Sequence, residues 1–239
     1  MESFKLYRLE NIARSWGVLG RFPGQVLVLK GNRGSSLVDP ATFPIANEFI
    51  DREQTSEAES FHEILAAAVD GNEKLQKQLA MRGEWADEHI ARIMDNSAEI
   101  GLDISEFLGL FTPIEVKRIR TRQRWQQDTA EKFLRIVCDV ATRTFEEHHI
   151  PLPNAHHLAD AFIFRFTLAQ CVYLMELVRR GTLDRKAELV RNDVIDISYT
   201  AYSTYFDGFM SSDGLAATVH NRTRFLLRQQ GAQVPPQLF

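Results

Sequence analysis

Cysteine is nearly absent. Cys138 and Cys171 are the only two in 239 residues, so no disulfide framework is expected, and so sparse a pair reads as reduced thiols of a cytoplasmic protein. An excess of one charge is lacking as well. Lys and Arg number 28 against 32 Asp and Glu, a formal charge of −4. That balance excludes a generally basic nucleic-acid binder and confines any such surface to a local patch. No long apolar run exists either. The most apolar stretch, 162–177, is interrupted by Arg165, Gln170 and Glu176, which makes it too short and too polar to span a bilayer. Met1-Glu2-Ser3-Phe4-Lys5 lacks the basic and apolar regions of a signal peptide. A soluble, cytoplasmic protein is expected. A phosphate-cradling P-loop is missing too: Gly31-Asn32-Arg33-Gly34 is too short and carries no Lys-Ser/Thr. There is no nucleophile elbow and no catalytic-cysteine signature.

What is present is an ordinary globular composition, 44% apolar and 10% aromatic, enough to bury a core without a metal or disulfide. A first helix is predicted over 3–19, stopped by Gly20 and Pro23. Gln25-Val26-Leu27-Val28-Leu29-Lys30 is short, β-rich and continuously apolar, the pattern of a strand buried on both faces. A Gly-, Ser- and Pro-marked loop follows over 31–44. Helical spacing runs from about 45 to 110, with breaks at Gly71, Gly83 and Gly101. Thr112-Pro113-Ile114-Glu115 is a helix start with a capping box. That helix is expected to run to about His148, before Pro151 and Pro153. A second long helix, 156–179, is apolar nearly all round, as a central buried helix would be. A helix over 193–205, a short buried strand over 206–211 and a last helix capped by Asp213 complete the pattern. Few strands and many helices predict a helix-rich α/β domain with a small parallel sheet.

The acidic segment 190–213 carries the most chemistry. Asp193 and Asp196 are three apart in what reads as the first turn of a helix, so they share a face. Asp213 follows the expected strand 206–211, where open α/β sheets place their ligands. Converging carboxylates repel and have raised pKa values unless a cation sits among them. Hard oxygen donors suit Mg²⁺ or Mn²⁺, which can activate water and stabilise a phosphoryl transition state. Capping is the alternative for each residue singly. Aspartate is, however, short for the reciprocal role in a capping box, which leaves Asp196 poorly explained by capping alone.

The run Asn192-Asp193, Asp196, Tyr199-Thr200-Ala201-Tyr202, Phe206-Asp207-Gly208-Phe209-Met210, Ser211-Ser212-Asp213 resembles the C-terminal part of a PIN-like nuclease domain. The resemblance is specific over about 25 residues and weaker elsewhere. It implies one PIN-like domain over 1–230 with a large helical insertion at about 45–150, and a loose tail at 231–239. It implies divalent-metal-dependent hydrolysis of phosphodiester bonds, of RNA above all, with Asp193, Asp196, Asp213 and Glu2 as site residues and Asp196, Asp213 and Glu2 as metal ligands. A PIN-like domain opens on an Asp-bearing strand, and no such strand precedes Glu2 here. The alternative is therefore a catalytically inactive interaction module.

Lys117, Arg118, Arg120, Arg122 and Arg124 place five cations in eight residues. Arg118 and Arg122 fall one turn apart between the apolar face and solvent, where they could bind successive phosphates of a nucleic acid or simply snorkel. Arg165, in so apolar a helix, needs a carboxylate or phosphate partner. It is a third candidate for nucleic-acid binding, with structural pairing the alternative. Tyr199, Tyr202 and Tyr205 could stack on bases or pack in the core. His148, His149, His156 and His157 bracket a proline loop. Adjacent histidines point to different faces, which favours a surface loop over a zinc site. Beyond RNA, the sequence is compatible with homo-oligomers and offers no membrane contact.

Overall fold

The computed structural model describes residues 21–22, 24–82, 84, 106–121, 123, 126–182, 187–209 and 211–236. The predicted first helix, Glu2 and Arg122 lie outside them. The chain divides into two compact units, Met1–Lys30 with Phe49–Asn96, and Gly31–Glu48 with Ser97–Phe239. In chain order the helices are α1 (Asn32–Ser36), α2 (Arg52–Val69), α3 (Pro113–Arg120), α4 (Gln127–Glu147), α5 (Phe162–Arg180), α6 (Ala187–Ser203) and α7 (Gly214–Gln229).

In the first unit, Asp51 caps α2 by accepting from the Gln54 amide at 2.9 Å. Helix α2 ends at the Asp70-Gly71 turn, where Gly71 takes φ +103°, a region that costs other residues a Cβ clash. Asn72 then accepts from the Leu75 amide, and a second helical stretch over 73–82 folds back. Phe61, Leu65, Ala68 and Leu79 form the small core of this unit.

The second unit is built around α5. Fifteen of its residues are buried, because α3, α4, α6, α7 and α1 pack on it from different sides. The expectation of a central helix is met. Its end is fixed by Gly181 at φ +70°, with the Thr182 amide bonded to the Leu177 carbonyl. The amphipathic α4 turns Phe133, Val137, Ala141 and Phe145 inward.

The α/β class is corrected. Among the described residues there is no strand and hence no parallel sheet. Segment 25–30 makes one antiparallel bridge, Leu29 with Ile50, and leaves Leu27 exposed. Its Val28 amide is satisfied by the Thr55 hydroxyl rather than by a neighbouring strand. Segment 206–211 begins in a turn. The Phe206 amide bonds back to Ser203, and the Phe206 carbonyl accepts from Arg224. Those groups are no longer available to a ladder. The long helix expected from Thr112 to His148 is also two helices. Thr121 closes α3 by bonding back to the Lys117 carbonyl, and α4 restarts after Gln126.

The capping box is present as expected. The Thr112 hydroxyl accepts from the Glu115 amide at 3.3 Å, and the Glu115 carboxylate accepts from the Thr112 amide at 2.6 Å. That amide first, and then Lys132 at 3.0 Å, hold the Glu115 carboxyl down at about 2. Stability from this group is present above its unfolded value near 4.5 and is lost as pH falls through about 2. Thr112→Ala is expected to lose about 1 kcal/mol in urea unfolding. An unchanged midpoint would show that the cap contributes nothing.

Arg165 is fully buried and fully employed. Nη2 donates to Asp160 Oδ1 at 2.7 Å and to the Gln233 carbonyl at 2.9 Å. Nη1 reaches the Thr204 carbonyl and hydroxyl, and Nε reaches the Ala159 carbonyl. The guanidinium lies 3.8 Å from the centroid of the Tyr205 ring. No donor is left for a phosphate, so the nucleic-acid role expected of Arg165 is replaced by a structural one. The same cluster ties down the start of the tail, which was expected to be loose. Asp160 Oδ1 accepts from the Gln233 amide at 2.8 Å, and Arg224 and Arg228 both donate to the Pro235 carbonyl.

Candidate functional site

Helices α5, α6 and α7 pack against one another, and residues from all three line one small cleft. Tyr173 comes from α5; Asp193, Asp196, Ile197 and Thr200 from α6; Asp213, Leu215, Ala216 and Val219 from the start of α7. The cleft holds about 10 Å³, room for one water-sized particle. The three aspartates singled out in the sequence are thus brought together, although no strand delivers Asp213.

Each aspartate is held differently. Helix α6 begins at Ala187, so Asp193 and Asp196 lie well inside it rather than in its first turn. That removes capping as the explanation for either. Asp193 is buried and accepts from the Tyr173 hydroxyl at 2.5 Å. Asp213 caps α7, with Oδ1 accepting from the Leu215 and Ala216 amides at 2.6 and 2.9 Å. Capping and lining the cleft are here the same residue's two roles. Asp196 has no hydrogen bond among the described residues. Burial first, then Asp213 and Asp193, push its carboxyl above the usual range. The walls add one more polar group. Thr200 is fully buried, and its Oγ1 has no partner among the described residues. Such an orphan is costly unless something in the cleft meets it.

A second groove, about 500 Å³, is lined by Glu176, Arg179, Arg180, Thr218 and Arg222. Glu176 is one turn beyond Tyr173 on α5, and Thr218 neighbours Val219 on α7, so groove and cleft share the α5–α7 seam. Glu176 pairs with Arg179 at 3.5 Å and with Arg222. Three guanidinium groups thus face one carboxylate, and Arg180 has no ion pair among the described residues. The surplus positive charge suits anions such as phosphate.

These arginines were missed by sequence reasoning, as were Tyr173 and Thr200. Arg179 and Arg180 carry only the local pattern of basic residues in a helix's last turn, and the α5–α7 packing brings Arg222 to them. Arg118, which was singled out, is half-buried on α3 and donates to Gln126. Of the three tyrosines, Tyr202 and Tyr205 are core residues, bonded to Ser35 and to the Asp160 carbonyl, and only Tyr199 is exposed. Among the described residues no set of three or more His, Cys, Asp and Glu side chains stands close enough to enclose a metal ion, the four loop histidines included. No described helix is long and apolar enough to cross a membrane. No family model, curated protein or solved structure matches this chain.

Proposed function

We propose that the acidic cleft binds Mg²⁺ or Mn²⁺ and that the chain hydrolyses phosphodiester bonds, RNA being the substrate class that the resemblance of the acidic motif implies. The observation that carries this reading is the meeting of Asp193, Asp196, Asp213 and the orphan Thr200 hydroxyl around one water-sized cleft. It does not rest on a PIN-like sheet, which the described residues lack. The donor set fits: all are hard oxygens, and Mg²⁺ is often held by only one or two carboxylates, with its waters here left to the open side of the cleft. A fully enclosing cage is therefore not required.

A bound divalent ion would supply charge neutralisation and a more acidic water. The chain's own residues do the rest. Asp196 offers both oxygens, and Asp213 offers Oδ2 while the α7 amides fix Oδ1. Tyr173 holds Asp193 in one orientation. Ile197, Leu215, Ala216 and Val219 give the cleft an apolar inner wall, against which each polar interaction is strengthened. Arg179, Arg180 and Arg222 would hold a substrate phosphate beside the cleft.

One observation favours a second reading, the non-catalytic interaction module. Two of the three carboxylates already have protein partners, and the three are not arranged to enclose an ion. Calorimetric titration with Mn²⁺ separates the two. The parent chain is expected to bind. Asp196→Asn should weaken binding at least about tenfold, in the range that loss of ligand-shell groups produces. Asp213→Asn should do so as well, while Asn preserves the α7 cap. RNA cleavage should follow Mn²⁺ occupancy and fall in Arg180→Ala. No Mn²⁺ binding by the parent chain, or binding by both variants as tight as the parent's, would overturn the reading in favour of the interaction module.

A further inference from the structure

The second unit carries another cavity, which shares no lining residue with the acidic cleft. It measures about 560 Å³, within the span of small-molecule sites. The floor is the first turn and a half of α5, where Phe162, Ile163 and Phe166 lie side by side. Ile150 and Leu37 extend the apolar surface. Among the described residues its lining has no carboxylate, in a chain whose formal charge is −4. The ionisable groups among the described lining residues are Arg33 on α1 and His148 at the end of α4, and both are exposed at the mouth. Neither side chain has an ion pair or hydrogen bond among the described residues. The remaining polar lining, Asn32, Ser36 and Thr144, is neutral.

We infer that this cavity is a binding site for a small amphipathic anion, with an apolar body on the Phe162–Phe166 floor and one carboxylate-like head at Arg33. The apolar body gains from leaving water. The head keeps partial solvation at the mouth and meets a planar guanidinium suited to paired hydrogen bonds with a carboxylate. A cationic head meets Arg33 with like charge and is rejected. A neutral head forgoes the charge-assisted bond. A volume of about 560 Å³ fits one such molecule.

The test uses three probes with the same ten-carbon tail, all below their micelle concentrations: decanoate, decanol and decyltrimethylammonium. Binding is followed by calorimetry and by amide chemical shifts. Decanoate is expected to bind and to shift resonances around Phe166 and Ile163. Decanol should bind at least about tenfold more weakly, and the ammonium probe not measurably. Arg33→Glu, at an exposed position that leaves the core untouched, should remove the decanoate preference and spare decanol binding. Four results would overturn the inference: no binding of decanoate, equal binding of all three heads, shifts confined to other surfaces, or an unchanged preference in Arg33→Glu. Binding to anionic phosphatidylglycerol vesicles without binding of free decanoate would overturn it too, in favour of a membrane surface.

Discussion

Arg165→Leu is expected to destabilise the protein by about 3–5 kcal/mol, the range seen when one partner of a buried pair is removed. Three costs coincide. Asp160 stays buried, and among the described residues its carboxylate keeps the Gln233 amide alone as a donor. The carbonyls of Ala159, Thr204 and Gln233 lose a donor. The Tyr205 ring loses the cation lying over it. Urea unfolding would read this as a lower midpoint at similar slope. Arg165→Lys should recover little, because one ammonium cannot reach partners that a guanidinium fork meets in three directions. Adding Asp160→Asn to Arg165→Leu should restore part of the loss by removing the stranded charge. A double-mutant cycle with no coupling would show that the pair does not act as a unit.

A drop in stability on acidification from about 6.5 to about 4 is the second large effect, and it is assigned to His220. The ring is buried, 5.3 Å from that of Phe209, and its Nε2 has no partner among the described residues. Burial first, and the nearby Arg224 next, hold its pKa at about 4, against pushes the other way from Asn221 and the Ser203 backbone. The folded value lies below the unfolded one, so the unfolded chain takes up a proton first as pH falls. Stability is therefore fully present above about 6.5 and lost as pH falls through about 4. At about 1.4 kcal/mol per unit the ceiling is about 3.5 kcal/mol. His220→Gln should flatten the pH dependence of the urea midpoint across that window, whatever its cost at neutral pH. A variant that keeps the parent slope would assign the acid sensitivity elsewhere.

What was legible in the sequence is what local chemistry decides. Thr112 with Glu115 three residues on, Asp213 before an amphipathic run, and the all-round apolar 162–177 are signals contained within a few turns. Each became the expected cap or helix. The strands were not legible, because a strand is defined by a partner that the sequence does not display. Val26 to Leu29 is a short apolar run, and Phe206-Asp207-Gly208-Phe209 has only aromatic ends around a turn-forming Asp-Gly; both suit a turn or an edge segment as well as a buried strand. The meeting of Asp193, Asp196 and Asp213 was anticipated for a sheet that the described residues do not form. It is produced instead by three helices packing together. Arg165 was legible as a residue in need of a partner, but Asp160, five positions earlier, was not singled out. The tail's contribution could not be read, since backbone carbonyls at 233 and 235 leave no trace in side-chain pattern.

That tail gives the molecule a kinetic character. Gln233 is 68 residues from Arg165 and 73 from Asp160 along the chain, so their contacts close a long loop and are expected to form late. Until they do, the α5 core must carry an incompletely satisfied charge pair. Interactions that form after the folding barrier chiefly set how fast the native state is lost. The clasp of 233–235 thus works as a brake on unfolding, and its removal would shorten the lifetime of the native state while leaving its rate of formation nearly the same.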